Sequence, residues 1–134
     1  MRRIEEMKKT ISILLMICTL TLCFVSCGNS GNSYSEENQE LAANCAVQAT
    51  KQYYLEYLDG KSVGAGKYTD YSTSIKNKEF IDGEYVITVE LQFGAKGANA
   101  KYPNFTVWSS MDIEYTVKVT NGSAKIVNTE YITD

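Results

Sequence analysis

The apolar residues of this chain change their spacing at one point, and that change limits the folds it can adopt. From residue 85 onward they alternate with polar residues, as in strands that have one buried and one solvated face. Before that they recur every fourth position, on one face of a helix, at Leu41, Cys45, Ala49, Tyr53 and Tyr57. Because such a helix must bury its apolar face against the sheet, the pattern predicts an α+β fold.

Turn-forming residues separate the predicted helix from four predicted strands. Along the chain, the elements are a helix at 34–59 with Ser33 or Ser35 as its N-cap, and strands at 68–81, 85–93, 105–119 and 124–132. Asp82-Gly83 and Asn121-Gly122 favour two-residue hairpins, so strands next to each other along the chain are expected to pair antiparallel. The strand at 105–119 is longer than usual, which predicts that the sheet bends.

The first hairpin contains a conflict between its turn and its apolar pattern. A two-residue turn at Asp82-Gly83 would pair Lys78 with Ile87 and Lys76 with Val89. That register would put two lysines on the apolar face, since residues directly opposite each other point to the same side of a sheet. The sequence therefore predicts a bulge or a longer loop in this hairpin.

The order of elements is similar to that of cystatin-like and NTF2-like folds, in which a bent sheet wraps around a helix. The resemblance concerns architecture alone. The chain has one helix before the sheet rather than the three usual in NTF2-like domains, and it lacks the Gln-x-Val-x-Gly motif of cystatins. A shared fold does not carry a shared function.

The first 26 residues have the layout of an export signal. Lys8 and Lys9 precede an apolar run at 11–25, which is shorter than the ~20 residues that span a bilayer. Next comes Phe24-Val25-Ser26-Cys27, which resembles the lipobox of bacterial lipoproteins, although that family prefers leucine where Phe24 stands. The resemblance implies that the signal is cut before Cys27 and that lipid is attached to the Cys27 thiol.

This interpretation divides the chain into three parts. Residues 1–26 are the signal peptide, with Met7 as the expected initiator because Met7-Lys8-Lys9 is a more ordinary start for such a signal. Residues 27–33 are the lipidated cysteine and a flexible tether of Gly, Ser and Asn. Residues 34–134 form a single α+β domain. We expect it to be lipid-anchored on the extracytoplasmic face of the cell membrane or the outer membrane.

The part of the chain from residue 27 onward lacks two side chains on which much protein chemistry depends. It contains no histidine and no arginine, and its nine lysines and fourteen acidic residues give a net charge of −5. Histidine would supply a general base or a metal ligand, and arginine a bidentate contact to phosphate. Cys45 is expected to be a buried structural residue. We therefore expect no catalysis, no cofactor, no metal and no nucleic-acid partner.

Trp108 is the strongest candidate for a binding residue. It falls on the polar face of the strand at 105–119, beside the long loop at 94–104. Lys96, Lys101, Tyr102 and Pro103 belong to that loop. Exposed Trp and Tyr are typical anchors of protein interfaces, so these five residues form the predicted binding patch. In the alternative arrangement, the loop folds back and covers Trp108 in a small satellite cluster.

Three hypotheses of function follow from these features. The first is a non-catalytic domain that binds a protein or peptide near the membrane, as a partner, inhibitor or immunity-type factor. The second is a carrier of a small ligand in a cavity between the helix and the bent sheet. The third is a hydrolase that uses the carboxylates of Glu90, Asp112 and Glu114 for acid–base chemistry.

Overall fold

In the computed structural model, which describes residues 33–132, helix α1 spans Glu36–Tyr57 and begins directly after its N-cap Ser35. The Ser35 side chain accepts a hydrogen bond from the Asn38 backbone N–H at 3.1 Å, which supplies a partner that the first turn lacks. Glu36 and Glu37 lie in that first turn, where the helix dipole favours negative charge. Of the two predicted caps, Ser35 is the one used.

The remaining elements form a single antiparallel sheet in which each strand pairs with the next along the chain. In chain order, the strands are β1 (Ser62–Val63), β2 (Gly66–Ile81), β3 (Glu84–Lys96), β4 (Thr106–Thr120) and β5 (Ser123–Ile132). The α+β class and the antiparallel pairing are confirmed. The expected number of four strands is wrong, because the two-residue β1 adds a fifth beyond the Gly64 turn.

Small residues let α1 lie close to the sheet. Ala42, Cys45, Ala46 and Ala49 are each at most 1% exposed, and α1 contacts β2, β3, β4 and β5. The facing side chains of the sheet are aliphatic and fully covered, among them Ile87, Val89, Leu91, Ile113 and Val117. The four-residue stripe of the helix and the alternation of β3 therefore form the core that the sequence predicts.

A bulge removes one of the two lysines from the apolar face of the first hairpin. Lys78 pairs with Ile87, as a two-residue turn requires, but the register then shifts between Ile75 and Asn77. Ile75, and not Lys76, stands opposite Val89, so the apolar side of β3 keeps an apolar neighbour. The expected bulge is confirmed, and its extra residue is Lys76.

The first half of β4 departs from the sequence prediction. Phe105 and Val107 were expected on the core face, yet they are 68% and 44% exposed. The reason is that β5 begins to pair with β4 only at Asp112. Residues 106–111 of β4 pair with β3 on one side, and on the other side no strand within 33–132 pairs with them. We call this outer edge of residues 106–111 the notch.

Several predictions fall on residues outside the described range. The signal peptide at 1–26, the Met7 start and the lipidated Cys27 all precede residue 33. Most of the tether at 27–33 and the last two residues of the 34–134 domain lie outside it as well. Within residues 33–132, no helix is both long and apolar enough to cross a membrane.

Candidate functional site

Trp108 lies flat against the sheet on the face away from α1, which we call the open face. It is 55% exposed and stands directly opposite Gly94 of β3. A Cβ atom added to Gly94 would lie 3.0 Å from Cε3 and 3.1 Å from Cδ2 of the indole. One side of the ring therefore lies over Gly94, where any larger residue would place its side chain, while over half of the residue's surface stays accessible.

The loop after β3 is folded on itself and leaves Trp108 uncovered. The Gly97 N–H donates to the Phe105 carbonyl and the Phe105 N–H donates to the Tyr102 carbonyl, at 3.0 and 3.1 Å. Tyr102 packs edge-on against Phe105, with ring centroids 5.9 Å apart. The loop also leans toward β1, since the Ala65 N–H donates to the Ala98 carbonyl at 3.0 Å. The alternative in which this loop covers Trp108 is wrong.

The other predicted patch residues surround this loop at the same end of the sheet. Lys101 holds its Nζ 5.7 Å from the centre of the Tyr102 ring, a cation–π contact. Pro103 is exposed, and Tyr102 is 48% exposed. Lys96, which the sequence places in the loop, is instead the last residue of β3 and pairs with Thr106. The five predicted residues thus share one end of the molecule, with Trp108 on the open face and the others at or beyond the strand ends.

A shallow groove adjoins Trp108 on the open face. Its volume is about 300 Å³, and Gln92, Trp108, Ser109 and Ser110 line it. An indole combined with an amide and two hydroxyl groups offers both apolar contact and hydrogen bonds. A second groove, of about 490 Å³, lies at the first hairpin, and its lining includes no aromatic residue.

The candidate carboxylates form an ion pair on the open face. Glu90 and Asp112 stand directly opposite each other, and Lys76 approaches both, with Nζ 2.8 Å from Asp112 Oδ2 and 3.9 Å from Glu90 Oε2. Glu114 stands apart, opposite Thr88 and Glu130. Two of the three residues therefore meet, and they face a lysine rather than a cleft. Within the described chain, no group of three His, Cys, Asp or Glu residues could hold a metal ion.

Sequence reasoning missed three residues that shape this site. Gly94 was expected in the loop, whereas it lies within β3 and carries the Trp108 indole. A glycine that directly follows an alternating strand is a signal for close approach of another group. Phe105 and Val107 were expected in the core and instead extend the exposed apolar surface around Tyr102 and Trp108.

Comparison with protein-family models, with curated proteins and with solved structures finds no match to this chain.

Proposed function

We propose that the chain is a membrane-anchored extracytoplasmic lipoprotein whose domain binds a protein or peptide through the patch around Trp108, without catalysis. The observation that carries this proposal is the seating of Trp108. The indole packs over Gly94 and is still 55% exposed, so a partner could cover it with little loss of its conformational freedom. Tryptophan is one of the residues enriched in the hot spots of protein interfaces, and ordering side chains on binding has a cost in entropy that a rigid one avoids.

The surroundings of Trp108 support a partner of protein type. Exposed apolar residues cluster at this end of the sheet, where Tyr102, Phe105 and Val107 are each more than two-fifths exposed. The groove beside Trp108 adds polar side chains, which suits the mixture of apolar and hydrogen-bonding groups that a protein surface offers. Such a cluster is larger than the single exposed apolar residues that soluble domains tolerate.

The position of the patch favours a partner in the aqueous phase over the bilayer. Tyr34, just before α1, packs on Phe80 and Tyr85 with ring centroids 5.8 and 6.1 Å away. Tyr34 therefore lies at the first hairpin. Gly94, beneath Trp108, lies nine positions farther along β3 than Tyr85, a distance of about 30 Å. With Cys27 lipidated, the patch would stand at the end of the domain opposite the tether.

The contents of the core and the location of the grooves favour this function over a small-ligand carrier. The space between α1 and the sheet is occupied by side chains that are buried, and neither described groove includes a helix residue in its lining.

We also propose that the sheet is bent in the cystatin-like or NTF2-like manner. The register shifts in β2 and between β4 and β5 support that proposal, because bulges bend strands.

The decisive experiment places a photo-crosslinking amino acid at Trp108 of the full-length protein in its own cells. Ile81, at the other end of the sheet, is a matched control because it is 48% exposed. We expect an adduct with another protein of the envelope from position 108 and not from position 81. Once that partner is identified, Trp108→Ala should weaken its binding by about 2 kcal/mol, which raises the dissociation constant roughly 30-fold.

Two results would contradict the proposal. One is the same set of adducts from positions 108 and 81, since that would mean unspecific contact. The other is an adduct from position 108 that contains only a second copy of this chain.

A further inference from the structure

We propose that the patch around Trp108 binds an extended, acidic segment of its partner, with a carboxylate held between Lys67 and Lys96 and an apolar side chain on the indole. This inference rests on the proposed function and names the chemistry of the partner. The segment would lie on the open face of the sheet and not at the notch.

The charged residues of the described chain are unequally divided along the sheet. The loop end, which we define as residues 60–69 and 94–108, contains four lysines and no acidic residue. The rest of residues 33–132 contains five lysines and thirteen acidic residues. The loop end therefore has a charge of +4 and the remainder a charge of −8. The patch is the positive pole of an acidic domain, which favours a partner of negative charge.

Lys67 and Lys96 form an uncompensated pair on this surface. They stand directly opposite each other, and both are exposed. Neither makes an ion pair, since the ion pairs within residues 33–132 are those of Lys76. Like charges placed directly opposite each other destabilise a sheet. A carboxylate that a partner placed between these two lysines would therefore replace a repulsion by two attractions.

A second lysine pair shows that this arrangement is particular to the loop end. Lys118 and Lys125 also stand directly opposite each other, at the other end of the sheet. Lys118, however, lines the groove at the first hairpin together with Asp82 and Glu84. Carboxylates of the chain itself therefore lie near that pair, whereas the loop end contains none.

The spacing between the loop-end lysines and the indole matches an extended peptide. The indole of Trp108 covers Gly94, and Lys96 lies two residues farther along β3, on the same face because side chains alternate. Two residues of a strand span about 6.6 Å, which is also the distance between side chains i and i+2 on one side of an extended peptide. A segment that lies along β3 can therefore contact the indole and the lysine pair at once.

Asp70 gives the bound segment a direction. It stands opposite Gly94, in the cross-strand row that also contains Trp108. An acidic side chain of the partner would be repelled in this row and attracted in the next one, where Lys67 and Lys96 stand. The acidic residue should therefore lie on the loop side of the apolar one. On the other side of the indole, the groove supplies polar side chains for the rest of the segment.

The orientation of the indole favours a peptide over an anionic membrane. Lysines and exposed aromatic residues also occur where proteins meet membranes. Trp108, however, lies flat along the sheet instead of projecting beyond the strand ends, so a bilayer that met the loop end would leave its ring uncovered. A peptide on the open face covers the indole and reaches both lysines.

Selection of displayed peptides tests this inference. Random peptides of about twelve residues are selected on the purified full-length protein in detergent, after depletion on Trp108→Ala. We expect the recovered peptides to share an acidic residue two positions from an apolar one. A synthetic peptide of this set should bind the double variant Lys67→Gln with Lys96→Gln with a dissociation constant about tenfold higher, and the difference should shrink as salt is raised.

The chain offers a matched control in its second lysine pair. Lys118→Gln with Lys125→Gln removes two opposed lysines from the other end of the sheet and should leave the affinity unchanged. Thermal melts of Lys67→Gln with Lys96→Gln should be no lower than those of the wild type, because the substitutions remove a like-charge repulsion. A peptide whose acidic residue is replaced by lysine should bind Lys67→Glu with Lys96→Glu more tightly than it binds the wild type.

Four results would overturn the inference. The first is a set of Trp108-dependent peptides without a shared acidic residue, in which case the proposed function stands. The second is an equal loss of affinity in the two glutamine double variants. The third is lipid adducts from a photo-crosslinking amino acid at Tyr102, which would mean that the loop end contacts a membrane. The fourth is the recovery of no peptide that needs Trp108, and the proposed function then fails as well only if position 108 gives no protein adduct in cells.

Discussion

Gly94→Ala is the substitution that most directly tests how Trp108 is held. The Gly94 backbone is outside the left-handed region, so alanine can adopt it without strain. The new methyl group would stand 2.7 Å from Thr106 Cγ2 and 3.0 Å from Trp108 Cε3. Both contacts are too close, and both are with side chains that can move. We therefore expect the sheet to remain folded and the indole to lift from it.

The area of Trp108 that the fold covers determines the size of the effect. Trp108 is 55% exposed, so about 110 Å² of the roughly 250 Å² of a tryptophan side chain is covered. At ~25 cal/mol per Å², that burial contributes about 3 kcal/mol. If the ring loses half of this burial, the unfolding free energy falls by about 1.4 kcal/mol. Alanine also restricts the unfolded chain more than glycine does, which raises the unfolding free energy by about 0.7 kcal/mol. The net loss of unfolding free energy should be about 0.7 kcal/mol.

The assay benefits from the composition of the chain, because Trp108 is its only tryptophan. Intrinsic fluorescence therefore reports on this one indole, and Gly94→Ala should shift its emission to the red and increase quenching by acrylamide. Thr106→Ser removes the nearer clashing methyl and serves as the control, alone and combined with Gly94→Ala. The red shift should persist in the double variant. Unchanged emission and quenching in Gly94→Ala would refute the seating of the indole on Gly94.

Three further predictions concern the fold and the anchor. Ala49→Asp places an unpaired charge at a position that is 1% exposed, so the melting temperature should fall sharply, and an unchanged melt would mean that this helix face is not buried. Burial, with Asp59 nearby, raises the pKa of Tyr54 to about 12. Because the folded pKa exceeds the unfolded value of about 10, this contribution to stability is complete below pH 10 and is lost as the pH rises toward 12. The alkaline loss of stability should be smaller in Tyr54→Phe, as urea titrations across this range would measure. Cys27→Ala should prevent lipidation, and mass spectrometry of the native N-terminus would contradict the anchor if the mature chain began elsewhere without acyl mass.

The elements that follow from local chemistry could be predicted from the sequence. Asp82-Gly83 and Asn121-Gly122 form the two tight turns, and all four residues have positive φ, as such hairpins require. The Lys76 bulge was also predictable, because the apolar alternation of β3 and the turn length could not both be met without it. The two-residue β1 was not, since so short a strand has no periodicity.

The site was only partly predictable, because alternation gives the face of a residue and not what covers that face. Phe105 and Val107 do alternate with Trp108, but no described strand lies beside them. In the register that follows Asn121-Gly122, the described part of β5 ends opposite Asp112. The seat on Gly94 depends on cross-strand register, which the sequence specifies less directly.

The attachment of the helix start to the first hairpin also determines how the domain would respond to a mechanical load. The Ser35 N–H donates to the Tyr85 hydroxyl at 3.0 Å, and Tyr34 packs on Phe80 and Tyr85. A force applied between the tether and a partner bound at Trp108 would act along the length of β3. The few contacts of Tyr34 and Ser35 would be the first to bear it. Under load, the start of α1 should therefore detach before the strands separate, and the sheet with its patch would be the last part to yield.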